Sequence, residues 1–378
     1  MKILFVCTEK LPLPCIKGGA IQIYIDGILP YIRQQHEVVI FCIAHPDLSN
    51  HELVDGVRYE RIEATTAETY YQEVAMRVAK EMFDWIIIYN RPKYLPWIAV
   101  SAPSSRFLLS MHNEMFHSEK ISAEVARSCL ERVERVITVS QFIADGIAYL
   151  FPEYQHKLQV VYAGVNLEQF PSRWVPEIAE RRLELLAANG LEDRLIALSV
   201  GRLSDKKGPH VLISAMPQLL SKHPSTVLLL VGSKWYGTNE ENSYVQALKQ
   251  QAQSLGDSVR FTGFIPPSEM PQYFLLGDLF ICASQWQEPL ARVHYEAMAT
   301  GLPIITTMRG GNSEVILPEK NGLLVTDYQK PAAFADKIDY LLTNPNQAEQ
   351  MGRAGRYLAE KRFYWYRVAS NILQLLEA

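Results

Sequence analysis

Short, nearly continuous apolar runs recur along this 378-residue chain, separated by segments of helical periodicity, and that alternation limits the fold more than any other feature. In the first half the runs are residues 3–7, 38–43, 85–89, 107–111, 136–139 and 160–162. They are rich in β-branched residues and do not alternate apolar with polar, as expected of parallel strands buried on both faces. Helical candidates at 21–35, 70–82 and 123–133 lie between them. The second half repeats the scheme with runs at 195–200, 227–231, 259–261, 279–282, 304–306 and 323–325. Repeated β-α units joined by right-handed crossovers predict an α/β protein with one doubly wound sheet in each half.

A chain of this length supports two cores. The boundary is expected between Val165 and Arg194, where Pro171, Trp174 and Pro176 interrupt the pattern. A charged helix at 177–188 then ends at Asn189-Gly190. The predicted domains are 1–170 and 171–361, followed by a terminal segment (354–378) of one or two helices bearing Tyr357, Phe363, Trp365 and Tyr366.

The formal net charge is −4, and no basic run extends beyond Lys206-Lys207, so no nucleic-acid partner is expected. Cys7, Cys15, Cys42, Cys129 and Cys282 make an odd set without close pairs. Three lie in strand-like runs, which predicts buried reduced thiols and a cytoplasmic location. The opening MKILFVCTEK is too short in its apolar part for a signal peptide and reads as a first strand. No stretch approaches the ~20 apolar residues of a membrane span.

Ligands of doubly wound sheets bind beyond the carboxyl ends of strands. Residues 280–307, FICASQWQEPLARVHYEAMATGLPIITT, read as strand, loop, helix and strand. Pro289 suits the first helical position, and Gly301 with Pro303 supplies the stop. Glu288 and Glu296 are then roughly 12 Å apart if both are helical, beyond the about 5–9.5 Å of a glycosidase pair. The backbone N–H groups of Leu290, Ala291 and Arg292 are expected to face an anion. An elongated anionic molecule with hydroxyls at both ends fits this layout. A capping carboxylate plus a surface glutamate is the plain alternative.

Other strands end in polar residues too. Gly18-Gly19 opens a helix and permits close approach of a phosphate, although it is not GxGxxG and also suits an ordinary turn. His112 follows the run at 107–111, where a lone histidine is most often structural. Arg202 and Lys207 sit in GRLSDKKG, a glycine-bounded loop whose two cations can neutralise a diphosphate. Gly263-Phe264 and Val231-Gly232-Ser233 end strands with little specificity, and Glu314, in the turn at 309–314, reads as structural. No Asp-x-Asp element or zinc-spaced His/Cys cluster is present, so no tightly bound metal and no resident cofactor are expected.

EPLARVHYE resembles the E-x7-E element of retaining glycosyltransferases of family 4, which have the GT-B fold. With MHNEM at 111–115 and GGAIQIY at 18–24, the resemblance covers nearly the whole chain and is closest to members associated with spore coats. It implies two Rossmann-like domains facing across a cleft, and the two halves are expected to close around the donor by a hinge between Val165 and Arg194. The first domain would be the acceptor side, with the loops at 65–71 and 89–94 as candidate linings and a terminal helix (about 362–378) packed back on it. The second would bind the donor. It also implies transfer of a sugar, with retained configuration, from a nucleoside diphosphate such as UDP to an unknown hydroxyl acceptor. His112, Glu288, Arg202 and Lys207 become catalytic, with Glu288 and His112 on sugar hydroxyls and the two cations on the diphosphate. Gly18, Gly19, Leu290, Ala291 and Arg292 meet the diphosphate, Glu296 the ribose, and Gly263 and Phe264 the base. The chain departs from the common Gly-Phe-Gly or Pro-Phe-Gly after the first glutamate: Pro289-Leu290-Ala291 narrows the space beside the anion. An epimerase or phosphorylase on the same fold, or a non-catalytic coat protein with a relic site, are the competing readings. A dinucleotide oxidoreductase is disfavoured by the missing fingerprint.

Overall fold

The computed structural model describes residues 1–235, 237, 239 and 241–377, so Ala378, the end of the expected terminal segment, lies outside the described residues. The chain divides into two compact units. Unit 1 is Met1–Ala163 together with the segment from Trp365, and unit 2 is Gly164–Tyr364. The crossing at Ala163 and Gly164 falls just ahead of the proline-broken stretch.

Unit 1 contains β1 (Lys2–Val6), β2 (Glu37–Ile43), β3 (His51–Val54), β4 (Val57–Ile62), β5 (Trp85–Tyr89), β6 (Arg106–Met111), β7 (Arg135–Thr138) and β8 (Leu158–Val160). They form one sheet in the order β3-β4-β2-β1-β5-β6-β7-β8. Its helices are α1 (Ala20–Ile32), α2 (Ala67–Val78), α3 (Leu95–Ser101), α4 (Ala123–Arg132) and α5 (Gln141–Leu150). Thr66, Ser122 and Ser140 accept a backbone N–H at the starts of α2, α4 and α5, satisfying donors that a helix cannot satisfy itself. The sheet is parallel except for β3, which pairs antiparallel with β4. This edge hairpin was not expected from the apolar runs, because β3 is largely exposed and polar. Its signal is the turn: Asp55 and Gly56 both have positive φ, as a tight Asp-Gly hairpin requires.

Unit 2 contains α6 (Pro176–Ala188), β9 (Leu195–Val200), α7 (Pro209–Leu220), β10 (Thr226–Val231), α8 (Ser243–Ala252), β11 (Val259–Phe261), α9 (Met270–Leu276), β12 (Leu279–Cys282), α10 (Val293–Thr300), β13 (Ile304–Thr307), β14 (Gly322–Val325), α11 (Pro331–Thr343) and α12 (Pro345–Arg362). The parallel sheet runs β11-β10-β9-β12-β13-β14. Each unit is built round its own apolar core. The terminal segment is two helices, α12 in unit 2 and α13 (Trp365–Glu377) in unit 1. Trp365 lies over Gly27 of α1, where a Cβ would stand 2.2 Å from the indole ring. Trp85 Nε1 donates to the carbonyl of Leu376 at 3.0 Å, which fixes the far end of α13.

The order of the strands fixes where ligands can enter. Strand order reverses between β1 and β5 in unit 1 and between β9 and β12 in unit 2. At such a switch the following loops diverge to opposite faces and leave a crevice beyond the carboxyl ends.

Candidate functional site

The loops leaving β9 and β12 meet at the switch point of unit 2. The first carries Arg202 and a 3-10 turn, Asp205–Lys207, before α7. The second carries Ser284, Trp286 and Glu288. Gln285 N–H donates to the carbonyl of Lys206 at 2.8 Å, tying the loops together. Lys207 Nζ donates to Glu288 Oε2 at 2.6 Å, and Ser284 Oγ and Trp286 Nε1 donate to that same oxygen, each at 2.8 Å. Among the described residues no hydrogen bond reaches Oε1. Glu288 is only 7% exposed, and burial alone would push its carboxyl up. The Lys207 ammonium and the two further donors outweigh that and hold it below the usual carboxylate value. Glu288 is therefore kept ionised with one oxygen anchored and the other available.

A small recess of about 20 Å³ lies where the ends of β9 and β12 meet the Arg202–Lys207 loop, lined by Gly201, Arg202, Lys207, Cys282, Ala283 and Val293 among others. The Arg202 guanidinium sits 4.9 Å from the ring of Trp235. On the other side, Gly310 has φ +57°, and a Cβ there would come within 2.1 Å of the Glu288 carbonyl. Gly311 N–H donates to that carbonyl at 2.8 Å, so the turn Gly310–Val315, which contains Glu314, backs the Glu288 loop directly.

The expected helix mouth needs correction. α10 begins at Val293, so Pro289 is not its first residue and Leu290–Arg292 form an irregular approach. Ala291 N–H is taken by Asn312 Oδ1 at 3.1 Å and is not presented to an anion. Arg292 instead reaches along the helix to Glu296 Oε1 (3.2 Å) and back to the carbonyl of Gly164 (3.1 Å). Glu296 is 6% exposed. Burial raises its carboxyl, and the Arg292 pair offsets this only in part. The Phe264 N–H expected at a base is likewise occupied, by Asn239 Oδ1 at 2.6 Å, while Gly263, at φ 73°, accepts from Gly232 N–H at 3.1 Å.

His112, Gly18 and Gly19 belong to unit 1. Gly19, with φ 107°, precedes α1, and Gly18 has φ 89°. Their loop is held at several points. Buried Arg61 donates twice to the carbonyl of Leu13 (2.9 and 2.7 Å), and Asp26 accepts the N–H of Cys15 (2.7 Å). Burial pushes the Asp26 carboxyl up to about 6. His112 is 7% exposed at the end of β6. Its Nε2 lies 3.0 Å from Ser110 Oγ, and its ring packs edge-on to Tyr24. Among the described residues, no group of three His, Cys, Asp or Glu side chains is placed to hold a metal ion. No helix is long and apolar enough to cross a membrane.

Sequence reasoning missed Ser284, Trp286 and Asn312. The trace of Ser284 and Trp286 is a polar loop flanking Glu288 and that of Asn312 a glycine turn, because their role depends on where folding points a hydroxyl, an indole N–H and an amide.

Two family models match this chain: glycosyltransferase family 4 over residues 21–169, and glycosyl transferases group 1 over 182–357. Spore coat protein SA of Bacillus subtilis is 43% identical over 377 residues, covering 100% of this chain and 99% of the relative. The chain belongs to glycosyltransferase family 4. YtcC of the same bacterium, which bears a glycosyltransferase name, is 41% identical over 98% of this chain and 91% of its own. This family 4 chain also shares its GT-B fold with HepE of Anabaena, solved in complex with UDP. That match has a TM-score of 0.81 at 24% identity, with full coverage of both chains.

Proposed function

We propose that this glycosyltransferase moves a sugar from a nucleoside diphosphate to a hydroxyl acceptor with retention of anomeric configuration. The observation that carries the reading is Glu288, ionised and anchored through one oxygen beside the Arg202 and Lys207 loop at the switch point of unit 2. Glu288 Oε1 accepts from a hydroxyl of the donor sugar, and Glu296 accepts from the ribose. The bond from the anomeric carbon to the diphosphate oxygen breaks, and its electron pair leaves with the diphosphate. Arg202, Lys207 and the Gly18-Gly19 amides meet the growing charge. The acceptor oxygen bonds to the anomeric carbon on the face just vacated, and its proton passes to the departing phosphate oxygen. The remaining assignments are His112 on sugar hydroxyls, Leu290 and Arg292 near the diphosphate, and Gly263 with Phe264 near the base. Unit 2 carries the donor and unit 1 the acceptor side. No metal is required, because fixed side-chain and backbone donors neutralise the leaving group.

UDP is the first donor nucleotide to test, since HepE was solved with UDP and with UDP-glucose. The likeness to spore coat protein SA supports a role in coat or cell-surface glycan synthesis. Thermal shifts against UDP, GDP and ADP, followed by transfer assays with the sugar nucleotides of whichever binds, test the reading. Binding without transfer to any hydroxyl, or epimerised donor in the absence of acceptor, would overturn it.

A further inference from the structure

The switch point of unit 1 holds a residue that the assignments above leave without a role. Asn90 follows β5 directly, beside the loop that leaves β1. Its φ is +55°, a left-handed conformation that asparagine tolerates better than most residues. Oδ1 accepts two backbone N–H groups, from His112 at 2.7 Å and from Asn113 at 3.1 Å. Both partners are donors, so the amide can be oriented only one way: oxygen toward the turn after β6, nitrogen away from it. That nitrogen has no hydrogen-bond partner among the described residues, although Asn90 is only 1% exposed. It is not among the fully enclosed unpartnered atoms, so it keeps contact with the surface, where a ligand or solvent can complete it.

The neighbours indicate what the ligand is. Arg91 gives Nε and one terminal nitrogen to the two oxygens of Glu9 (2.9 and 2.7 Å), and the other to the carbonyl of Asn90 (2.8 Å). The Arg91 guanidinium is already engaged, and the one further cation at Glu9 among the described residues, the largely exposed Lys10, has its ammonium 3.6 Å from the same carboxylate. The buried cation of the cluster is therefore committed, which leaves little positive charge for a phosphate. An amide N–H beside a neutralised ion pair suits an uncharged oxygen.

We propose that Asn90 binds a sugar hydroxyl through its amide nitrogen while its oxygen fixes the turn that presents His112. This inference rests on the glycosyltransfer reading, and the hydroxyl can come from the donor's glycosyl group or from the acceptor. Asn90→Asp separates the two duties, because a carboxylate still accepts from His112 and Asn113 but offers no N–H. Saturation-transfer NMR on the full chain would use UDP, UDP-glucose and the methyl glycosides of glucose, galactose and mannose as probes.

In the wild type, transfer to sugar-ring protons is expected. In Asn90→Asp, sugar affinity should fall tenfold or more, with UDP affinity unchanged and a melting temperature close to wild type. Loss confined to the glucosyl ring of UDP-glucose assigns the hydroxyl to the donor, and loss confined to a methyl glycoside assigns it to the acceptor. Asn90→Gly, which suits the positive φ and removes both duties, covers the case in which the buried carboxylate prevents folding; it should lose the sugar as well. No sugar contact in the wild type, or wild-type sugar affinity in the folded variants, would overturn the proposal. Absence of UDP binding in the wild type would count against the donor assignment in unit 2, while the sugar probes still decide the role of Asn90.

Discussion

Glu288 and Glu296 are both buried, yet their surroundings drive them in opposite directions. Three donors converge on Glu288, whereas Glu296 has one arginine contact at 3.2 Å. A carboxyl lowered by folding adds stability at neutral pH that is lost as pH falls through its depressed value. A carboxyl raised by folding does the reverse, and its ionised form is a liability relieved by acid. Nucleotide affinity should therefore weaken as pH falls through a midpoint above 4.5, the ordinary glutamate value, because Glu296 protonates first. Calorimetric titration of UDP across pH 4–8 would show this limb, and Glu296→Gln should abolish it. At pH 7, Glu296→Ala should weaken UDP by roughly 10- to 100-fold, the equivalent of losing a charge-assisted hydrogen bond of about 1.5–3 kcal/mol. Lys207→Met leaves the Glu288 carboxylate buried without its cation. Removing one partner of a fully buried pair costs about 3–5 kcal/mol, and because Lys207 is itself 23% exposed the loss should lie at or below the lower end. Denaturant melts would measure it, and transfer activity should fall in parallel.

At the scale of elements, loops rather than helices hold the chemistry. The strand runs were legible because burial on both faces demands unbroken apolar sequence; 85–89, 195–200, 259–261 and 279–282 coincide with strands in the structure. The start of α10 was not legible. Pro289 is compatible with a first helical turn, but Glu288 is pulled toward Lys207 and Ala291 toward Asn312, and these tertiary bonds delay the helix to Val293. The β3–β4 hairpin escaped because an edge strand carries little apolar sequence. The particular role of Asn90 was not legible, since the orientation of its amide follows from two backbone N–H groups in the turn after β6. Gly310→Ala tests how closely the turn backs the Glu288 loop. Its Cβ would collide with the Glu288 carbonyl and its φ would be strained, so transfer should drop sharply while the far-UV circular dichroism of unit 2 stays unchanged.

At the scale of the molecule, each unit repeats one arrangement: a sheet, parallel but for the β3 edge of unit 1, whose order reverses once, with polar side chains gathered where it reverses. Activity should survive exhaustive chelation with EDTA, because the proposed charge neutralisation uses Arg202, Lys207 and backbone amides; loss restored by a divalent cation would refute that. Trp365, Val368, Ala369, Ile372 and Leu376 of α13 are all buried in unit 1. At about 1.5–3 kcal/mol for each large apolar side chain, ending the chain at Tyr364 should leave unit 1 unstable, visible as lost solubility or a lowered melting temperature.

The same helix sets an order of events at the ribosome. All of unit 2 must be synthesised before residues 365–377 emerge, so the segment begun first is finished last. Until then the groove over Gly27 that receives Trp365 is uncovered on the nascent chain. A translational pause before Trp365 would thus hold unit 1 incomplete while unit 2 is free to fold, making this helix the step that completes unit 1.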